Sequence, residues 1–291
     1  MNFKRNNITF NEFRTLHPKL QFNELFDFYS VFAGFTLEQI DPQKNLFENI
    51  EFVLLQNYEN IKNIFEIDSH SSYALSLFAK NNRKRYSINR RIHHFKALTL
   101  LKKLLKTGIV KLEKSKEQKI IRRKGQKLKK YLRTYTIQDK IIFKDNFTRF
   151  FFRFLKPNET LIIQGKHKQL LELIKENLEH YQSFCFEQFC REFVEKYFSI
   201  KDVQSYWDKK TEIDLYYKDE KLCLIGEVKF KKKKICKNIF TLLKTKTKVL
   251  NIKPNYYIIC SKNGFSKEII KLKEPNLLLF DMNDFKQFKD L

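Results

Sequence analysis

Residues 211–230 carry the clearest alternation of apolar and polar positions in the chain. Residues 213–217 are rich in β-branched and aromatic side chains, residues 218–221 are polar, and residues 222–230 form a second apolar-rich run. Two such runs separated by a short polar turn are typical of two paired strands. The pattern therefore predicts a β-hairpin.

Four charged side chains interrupt the two strands of this hairpin. Because side chains alternate between the faces of a strand, Glu212 and Asp214 share one face of the first strand, and Glu227 and Lys229 share one face of the second. Pairing of the strands is expected to bring Asp214 near Glu227, so that two carboxylates and one ammonium converge at an edge of a sheet. The alternative is that Glu227 and Lys229 form an exposed ion pair on a solvated strand.

Two neighbouring carboxylates can hold a hard divalent cation, Mg²⁺ or Mn²⁺, that keeps several waters and takes a phosphate oxygen as a further ligand. Such a cation neutralises the charge that develops on a phosphodiester and helps to generate hydroxide. In this hypothesis Asp214 and Glu227 are the metal ligands, and Lys229 orients or activates the nucleophilic water.

Helix-like spacing of apolar residues dominates the first 66 residues. Residues 23–32 and 46–58 both show it, and Asp41 followed by Pro42 indicates a helix start. We predict a helical N-terminal region over residues 1–66 that packs against the rest of the chain or against a partner.

Residues 67–140 show the pattern of a winged helix. The elements expected are a helix over 72–79, a longer helix over 91–106, and two wing strands over 109–112 and 131–137. Leu98, Leu101 and Leu105 would form the apolar stripe of the longer helix. A helix-turn-helix module of this kind places its second helix in the major groove of DNA while flanking residues hold phosphates.

Positive charge is concentrated in the same segment. The formal net charge of the chain is +25, and residues 81–133 contain 20 Lys and Arg against two Glu, a net of +18. This concentration is typical of a protein that binds a polyanion, whereas a solvated basic face that aids solubility is the alternative. The side chains expected to contact DNA phosphates here are Arg83, Lys84, Arg85, Arg90, Arg91, Arg122 and Arg123.

Residues 141–180 are predicted to be helices that link two domains. They include the aromatic run 147–154, which favours a place in the core over stacking on unpaired bases. Helices are also expected over 170–179 and 183–197, where Glu187 and Arg191 lie four residues apart. A helix over 235–250 would bring Lys244 near a DNA backbone, and buried strands are expected over 255–260 and 277–280.

Several short motifs follow one another in the second half of the chain. They are Phe186-Glu187, Trp207 followed five residues later by Glu212-Ile213-Asp214, Gly226-Glu227-Val228-Lys229, and Ser261-Lys262-Asn263-Gly264-Phe265. In this order and spacing they resemble the PD-(D/E)XK nuclease superfamily. More narrowly, roughly residues 70–291 resemble the C-terminal region of archaeal-type ATPases that carry a domain of unknown function.

This resemblance implies an α-β-β-β-α-β core, similar to that of restriction endonucleases, over residues 181–291. It also implies a metal-dependent nuclease site in which Glu187, at the acidic position of the first helix, supports the metal site. The relatives usually carry an ATPase module, but this chain lacks the Gly-x-x-x-x-Gly-Lys-Ser/Thr loop that would cradle a triphosphate. We therefore expect no ATPase activity, and either a stand-alone protein or one that works with a separate ATPase.

Composition indicates a globular protein, with 42% hydrophobic residues, 30 Phe and few Gly or Pro. No apolar run follows the basic N-terminal residues, and no stretch is apolar enough to span a bilayer. The five cysteines form no Cys-x-x-Cys pair, which favours reduced thiols over disulfides or structural zinc. These features predict a cytoplasmic protein without a membrane partner.

The combined expectation is an α+β or α/β chain that binds duplex or branched DNA and cleaves phosphodiester bonds with Mg²⁺ or Mn²⁺. A non-catalytic DNA-binding or regulatory protein that retains the nuclease fold is the main alternative. A third interpretation is a docking subunit of a larger complex, whose hairpin carboxylates serve only in surface ion pairs. The protein partners considered are a separate ATPase and a second copy of the chain.

Overall fold

The computed structural model describes residues 8–34, 40–80, 83–117, 123–127, 129–130 and 137–287. The chain divides into two compact units. The first unit comprises Met1–Leu112 and Ile141–Cys185, and the second comprises Glu113–Lys140 and Phe186–Leu291.

The first unit begins with short helices, two of which start at a side-chain cap. They are α1 (Phe10–Leu16), α2 (Phe22–Phe32), α3 (Leu46–Asn49) with a π-helical turn (Ile50–Leu55), and α4 (Tyr58–Asn63). Thr9 and Asn45 each form a capping box with a Glu three residues later. The helix expected to start near Asp41 therefore starts after Asn45.

The segment expected to be a winged helix contains two helices before its first strand. Its elements are α5 (Ser69–Phe78), a 3₁₀ turn (Arg85–Arg90), α6 (His94–Lys106) and strand β1 (Val110–Glu113). The buried stripe of α6 consists of Ala97, Leu100, Leu101 and Leu104. Leu98 and Leu105, which were expected in that stripe, are only half-buried.

Strand β1 pairs with β2 (Lys140–Phe143) in a two-stranded sheet. The second wing strand was expected over residues 131–137, of which 131–136 lie outside the described residues. The strand that pairs with β1 is β2, which lies after the range 131–137 expected for the second wing strand.

The aromatic run 147–154 lies in the core of the first unit, as predicted. It spans α7 (Asn146–Phe150) and a π-helical turn (Phe151–Leu155), which are followed by a 3₁₀ turn (Lys156–Asn158) and α8 (Glu159–Ile163). All five phenylalanines of the run are buried. Arg149 is buried among them, and its guanidinium donates to the carbonyl of Tyr181.

Helix α9 (His167–Tyr197) is continuous over 31 residues. Two helices, over 170–179 and 183–197, were expected here, and that expectation is wrong. The residues between them contain no Gly or Pro to end a helix.

The second unit is built on a five-stranded mixed sheet. Its strands are β3 (Gln204–Trp207), β4 (Glu212–Lys218), β5 (Cys223–Lys229), β6 (Tyr256–Ser261) and β7 (Leu277–Phe280), in the spatial order β3-β4-β5-β6-β7. The pairs β3–β4 and β4–β5 are antiparallel, and β5–β6 and β6–β7 are parallel. The predicted hairpin is confirmed as β4 and β5.

Helices cover both faces of this sheet. On one face, Phe240 and Leu243 of α10 (Lys237–Val249) and Ile269 of α11 (Lys267–Ile270) pack on apolar strand residues. On the other face, Phe193 of α9 contacts Phe280 of β7 and a phenylalanine of α12 (Met282–Gln287). The strands β5 and β6 are consequently largely buried on both sides, which accounts for the apolar runs 222–225 and 256–260.

Gly226 in β5 lies where two backbones come close together. A Cβ at this position would lie 2.8 Å from the carbonyl oxygen of Ile258 and 2.9 Å from a methyl carbon of Leu215. Glycine is therefore required by packing at the centre of the sheet.

The described chain is thus α+β, with helices and one mixed five-stranded sheet in addition to the β1–β2 pair. Across the described residues, no helix combines the length and the apolar character that spanning a membrane requires.

Candidate functional site

The hairpin brings Asp214, Glu227 and Lys229 together in the second unit. Leu215 of β4 pairs with Gly226 of β5, so Asp214 and Glu227 are the next residues along the two strands. The Lys229 ammonium lies 2.5 Å from Oε1 of Glu227 and 4.0 Å from Oδ2 of Asp214. We refer to these three side chains as the hairpin cluster.

Asp214 lies in a recess that disfavours its charged form. Its side chain is 20% exposed, and Oδ2 accepts a hydrogen bond of 2.9 Å from the backbone N–H of Val228. Burial and then the carboxylates of Glu227 and Glu187 raise the pKa of Asp214 to about 7, although Lys229 opposes them. A cation placed here would relieve this concentration of negative charge.

Two ammonium groups bind the Glu227 carboxylate. Oε1 accepts from Lys229, and Oε2 accepts from Lys246 of α10 at 2.7 Å. Burial alone would lower the pKa of Lys229, but the carboxylates of Glu227 and Asp214 outweigh it and raise the pKa above its usual value. Lys246 was not predicted as part of the site.

Glu187 approaches the hairpin cluster from α9 and is held by Arg191, four residues further along the helix. The Arg191 guanidinium also donates to Oε1 of Glu113 at 2.8 Å and to the carbonyl oxygen of Asp214 at 3.3 Å. Glu113 in turn accepts from the backbone N–H of Ser205 at 2.9 Å. Arg191 therefore fixes Glu187 and the backbone of β4 in place, and Glu113 is a buried part of this network that the sequence did not reveal.

The oxygens of the hairpin cluster suit a hard divalent cation. Mg²⁺ is commonly bound through one or two carboxylates, with waters and substrate phosphates completing its shell. Asp214 and Glu227 supply two such carboxylates. Among the described residues, no group of three or more His, Cys, Asp or Glu side chains is arranged to hold a metal ion.

The residues expected to contact DNA differ in exposure. Lys84, Arg90, Arg91 and Arg123 are exposed, Arg85 is half-buried, and Arg122 lies outside the described residues. Arg83 departs from the expectation, because it is buried and its guanidinium lies 3.8 Å from the ring centre of Phe184. A guanidinium held inside the first unit is not placed to reach a phosphate.

Lys244 also has a partner within the chain. Its ammonium lies 2.8 Å from Oε1 of Glu274, and its side chain remains 38% exposed. Lys248 on the same helix is exposed. Lys246 therefore contacts the hairpin cluster, whereas Lys244 forms a surface ion pair with Glu274.

Together these observations define an α+β protein with a carboxylate–lysine cluster on the hairpin of a mixed sheet. Residues 151–239 match the family DUF234, described as "Archaea bacterial proteins of unknown function". The chain is also similar to an uncharacterized protein of Methanocaldococcus jannaschii, with 33% identity over an alignment of 155 positions that covers 49% of this chain and 34% of that protein. The expected resemblance to archaeal proteins with a domain of unknown function is confirmed to this extent.

This chain spans about a third of the length of that archaeal relative. No solved structure matches this chain. The family match includes β4, β5 and the part of α9 that carries Glu187, so the hairpin cluster lies within the matched segment.

Proposed function

We propose that the protein binds DNA and hydrolyses phosphodiester bonds with Mg²⁺ or Mn²⁺, through a site similar to that of PD-(D/E)XK nucleases. The observation that carries this proposal is the convergence of Asp214, Glu227 and Lys229 on one hairpin. The order of elements in the second unit agrees with it, since a helix, three strands, a helix and a strand follow one another from α9 to β6.

Each residue of the site has a role that follows from its charge and position. Asp214 and Glu227 would hold the cation, which when bound neutralises charge on the phosphodiester and lowers the pKa of a bound water. Because its pKa is raised, Lys229 stays protonated at neutral pH and acts by donating a hydrogen bond to the water or to a phosphate oxygen. Glu187 and Arg191 position the carboxylates.

DNA binding is proposed for the exposed cations of the segment 84–123. Helices α5 and α6 and strands β1 and β2 would form the winged helix, with Lys84, Arg90 and Arg91 on phosphates. Affinity is then expected to fall steeply as salt concentration rises, because each phosphate contact releases counterions.

A nuclease assay on linear, circular and branched DNA with Mg²⁺ or Mn²⁺ tests the catalytic part. Asp214→Asn and Lys229→Met should each abolish cleavage while DNA binding is retained. The matched controls are Glu220→Gln and Lys218→Met, which change exposed residues at the turn of the same hairpin. Cleavage that survives Asp214→Asn, or that is lost equally in the controls, would exclude the hairpin cluster as the active site.

One observation favours a non-catalytic DNA-binding protein as the second candidate. Both carboxylate oxygens of Glu227 are bound by ammonium groups of the chain itself, so the charge that a metal would neutralise already has partners. This candidate predicts salt-sensitive DNA binding that divalent cations do not change, and no cleavage of any of the three substrates.

A further inference from the structure

A cleft in the first unit has the size and lining of a small-molecule site. Its volume is about 810 Å³, within the range of about 300–1,000 Å³ that is typical of ligand pockets. Apolar side chains form part of the wall, and Ser69, Ser72 and Ser76 of α5 contribute hydroxyl groups. Nothing in the proposed phosphodiester chemistry uses this cleft.

The charged residues that line the cleft are all cationic. They are Lys80, Arg153 and Lys156, and no Asp or Glu is among the described residues of the lining. Lys156 pairs with Glu159 at 2.6 Å, but Glu159 also binds Lys62 at 2.6 Å, so one carboxylate serves two ammonium groups. The lining therefore retains an excess of positive charge.

Arg153 is the most informative of these residues. It is half-buried in the π-helical turn Phe151–Leu155, and such turns occur frequently at functional sites. Among the described residues, the guanidinium of Arg153 lies 5.1 Å from the ring centre of Phe154 and has no hydrogen bond or ion pair, and Lys80 has none either. Burial and the charge of Arg149 lower the pKa of Arg153. A half-buried guanidinium with no anionic partner among the described residues can receive an anion from solution.

We propose that this cleft binds a phosphate monoester attached to an aromatic or apolar body, as in a nucleoside monophosphate, with Arg153 and Lys80 on the phosphate. Arg153 and Lys80, which have no ion pair among the described residues, match the charge of about −1.5 to −2 that a phosphate monoester carries at pH 7. The planar guanidinium and the serine hydroxyls suit its oxygens. Tyr73, Leu77 and Leu173 offer the surface on which the body packs.

Calorimetric titration of the full chain tests this proposal, in buffer with EDTA so that the hairpin cluster holds no divalent ion. The probes are adenosine 5′-monophosphate, adenosine, inorganic phosphate, and a short oligonucleotide with or without a 5′-phosphate. We expect saturable binding of the monophosphate, with adenosine and inorganic phosphate weaker by about tenfold or more. A free nucleotide and the 5′ end of a DNA strand both carry a phosphate monoester next to a base. If the 5′-phosphorylated oligonucleotide binds more tightly than adenosine 5′-monophosphate, the ligand is a strand end.

Arg153→Met and Lys80→Met should each weaken binding of the monophosphate by about tenfold, the usual effect of losing a charge-assisted hydrogen bond. Lys168→Met, an exposed cation of α9 that does not line the cleft, is the matched control and should leave binding unchanged. Lys80 is exposed, so its variant tests the site even if Arg153→Met folds poorly. Asp214→Asn should bind the monophosphate as the parent does, which separates this site from the proposed nuclease site.

The proposal is overturned if the monophosphate shows no saturable binding, or if Arg153→Met and Lys80→Met bind it as tightly as the parent. Binding of inorganic phosphate that equals binding of the monophosphate would also overturn it, because the body would then contribute nothing.

Discussion

Replacing Arg191 by Met should strongly destabilise the second unit. The side chains of Arg191 and Glu113 are 6% and 3% exposed, and their charged atoms lie 2.8 Å apart. Removal of one member of a buried ion pair leaves the other charge uncompensated, at a cost of about 3–5 kcal/mol. Since domains are commonly stable by about 5–15 kcal/mol, this loss is a large part of the total.

Urea unfolding followed by tryptophan fluorescence measures the loss of stability of the second unit. The chain has one tryptophan, Trp207, and it is buried in β3 of the second unit. With a dependence on urea of about 1–3 kcal/mol per M, a loss of about 3 kcal/mol lowers the unfolding midpoint by about 1 M or more. Lys218→Met, on the exposed end of β4, is the control and should leave the midpoint in place.

A double variant separates the buried charge from the loss of packing. Glu113→Gln combined with Arg191→Met removes both charges of this pair, while Glu187 loses its Arg191 partner in the single and the double variant alike. The Gln oxygen can still accept the hydrogen bond from the N–H of Ser205. We expect the double variant to be more stable than Arg191→Met alone. If the single variant unfolds at the parent midpoint, or if the double variant is no more stable than the single one, the buried charge of Glu113 does not depend on Arg191 for stability.

Three further predictions address the sheet, the hairpin cluster and the first unit. Gly226→Ala should lower the free energy of unfolding by about 1–3 kcal/mol in the same fluorescence assay, because its Cβ would press on the carbonyl of Ile258; an unchanged midpoint would contradict this. The pKa of Asp214 is raised to about 7, so its proton stabilises the native state at low pH and that stabilisation is lost as pH rises toward 7. A divalent cation held by Asp214, as proposed above, would compete with this proton. Mg²⁺ should then raise the melting temperature more at about pH 8 than at about pH 6, and not at all in Asp214→Asn. Asp68 caps α5 through the N–H of Ser71 at 2.9 Å, so Asp68→Ala should cost about 1 kcal/mol, seen as faster amide hydrogen exchange in that helix; unchanged protection would show that the cap is not needed.

Local patterns in the sequence were sufficient to predict the hairpin. Its two apolar runs and polar turn lie within 20 residues, and the alternation of side chains placed Asp214, Glu227 and Lys229 correctly on neighbouring strands. The aromatic run of the first unit was also predictable as core, because so many adjacent phenylalanines are costly to expose.

Contacts between distant segments could not be predicted in the same way. Glu113 meets Arg191 across 78 residues, and Lys246 reaches Glu227 from a helix whose rotation the pattern left undetermined. Arg83 was assigned to the surface from its charge, but the ring of Phe184, far away in sequence, holds it inside the first unit. In each case the charge of the side chain was known from the sequence, but its contact partner depends on the tertiary fold.

The π-helical turn Phe151–Leu155 rotates the side chains that follow it, relative to the directions they would have in a continuous α-helix. Successive residues of an α-helix are rotated by about 100°, and the i→i+5 bonding of a π-helical turn accommodates one additional residue. A prediction of buried positions that assumes about 3.6 residues per turn is therefore wrong by one position beyond this turn. Deleting a single residue here would restore the α-helical register and turn the side chains on one side of the deletion by about 100° relative to those on the other. The direction of Arg153 thus depends on the length of this helix as well as on the identity of the residue.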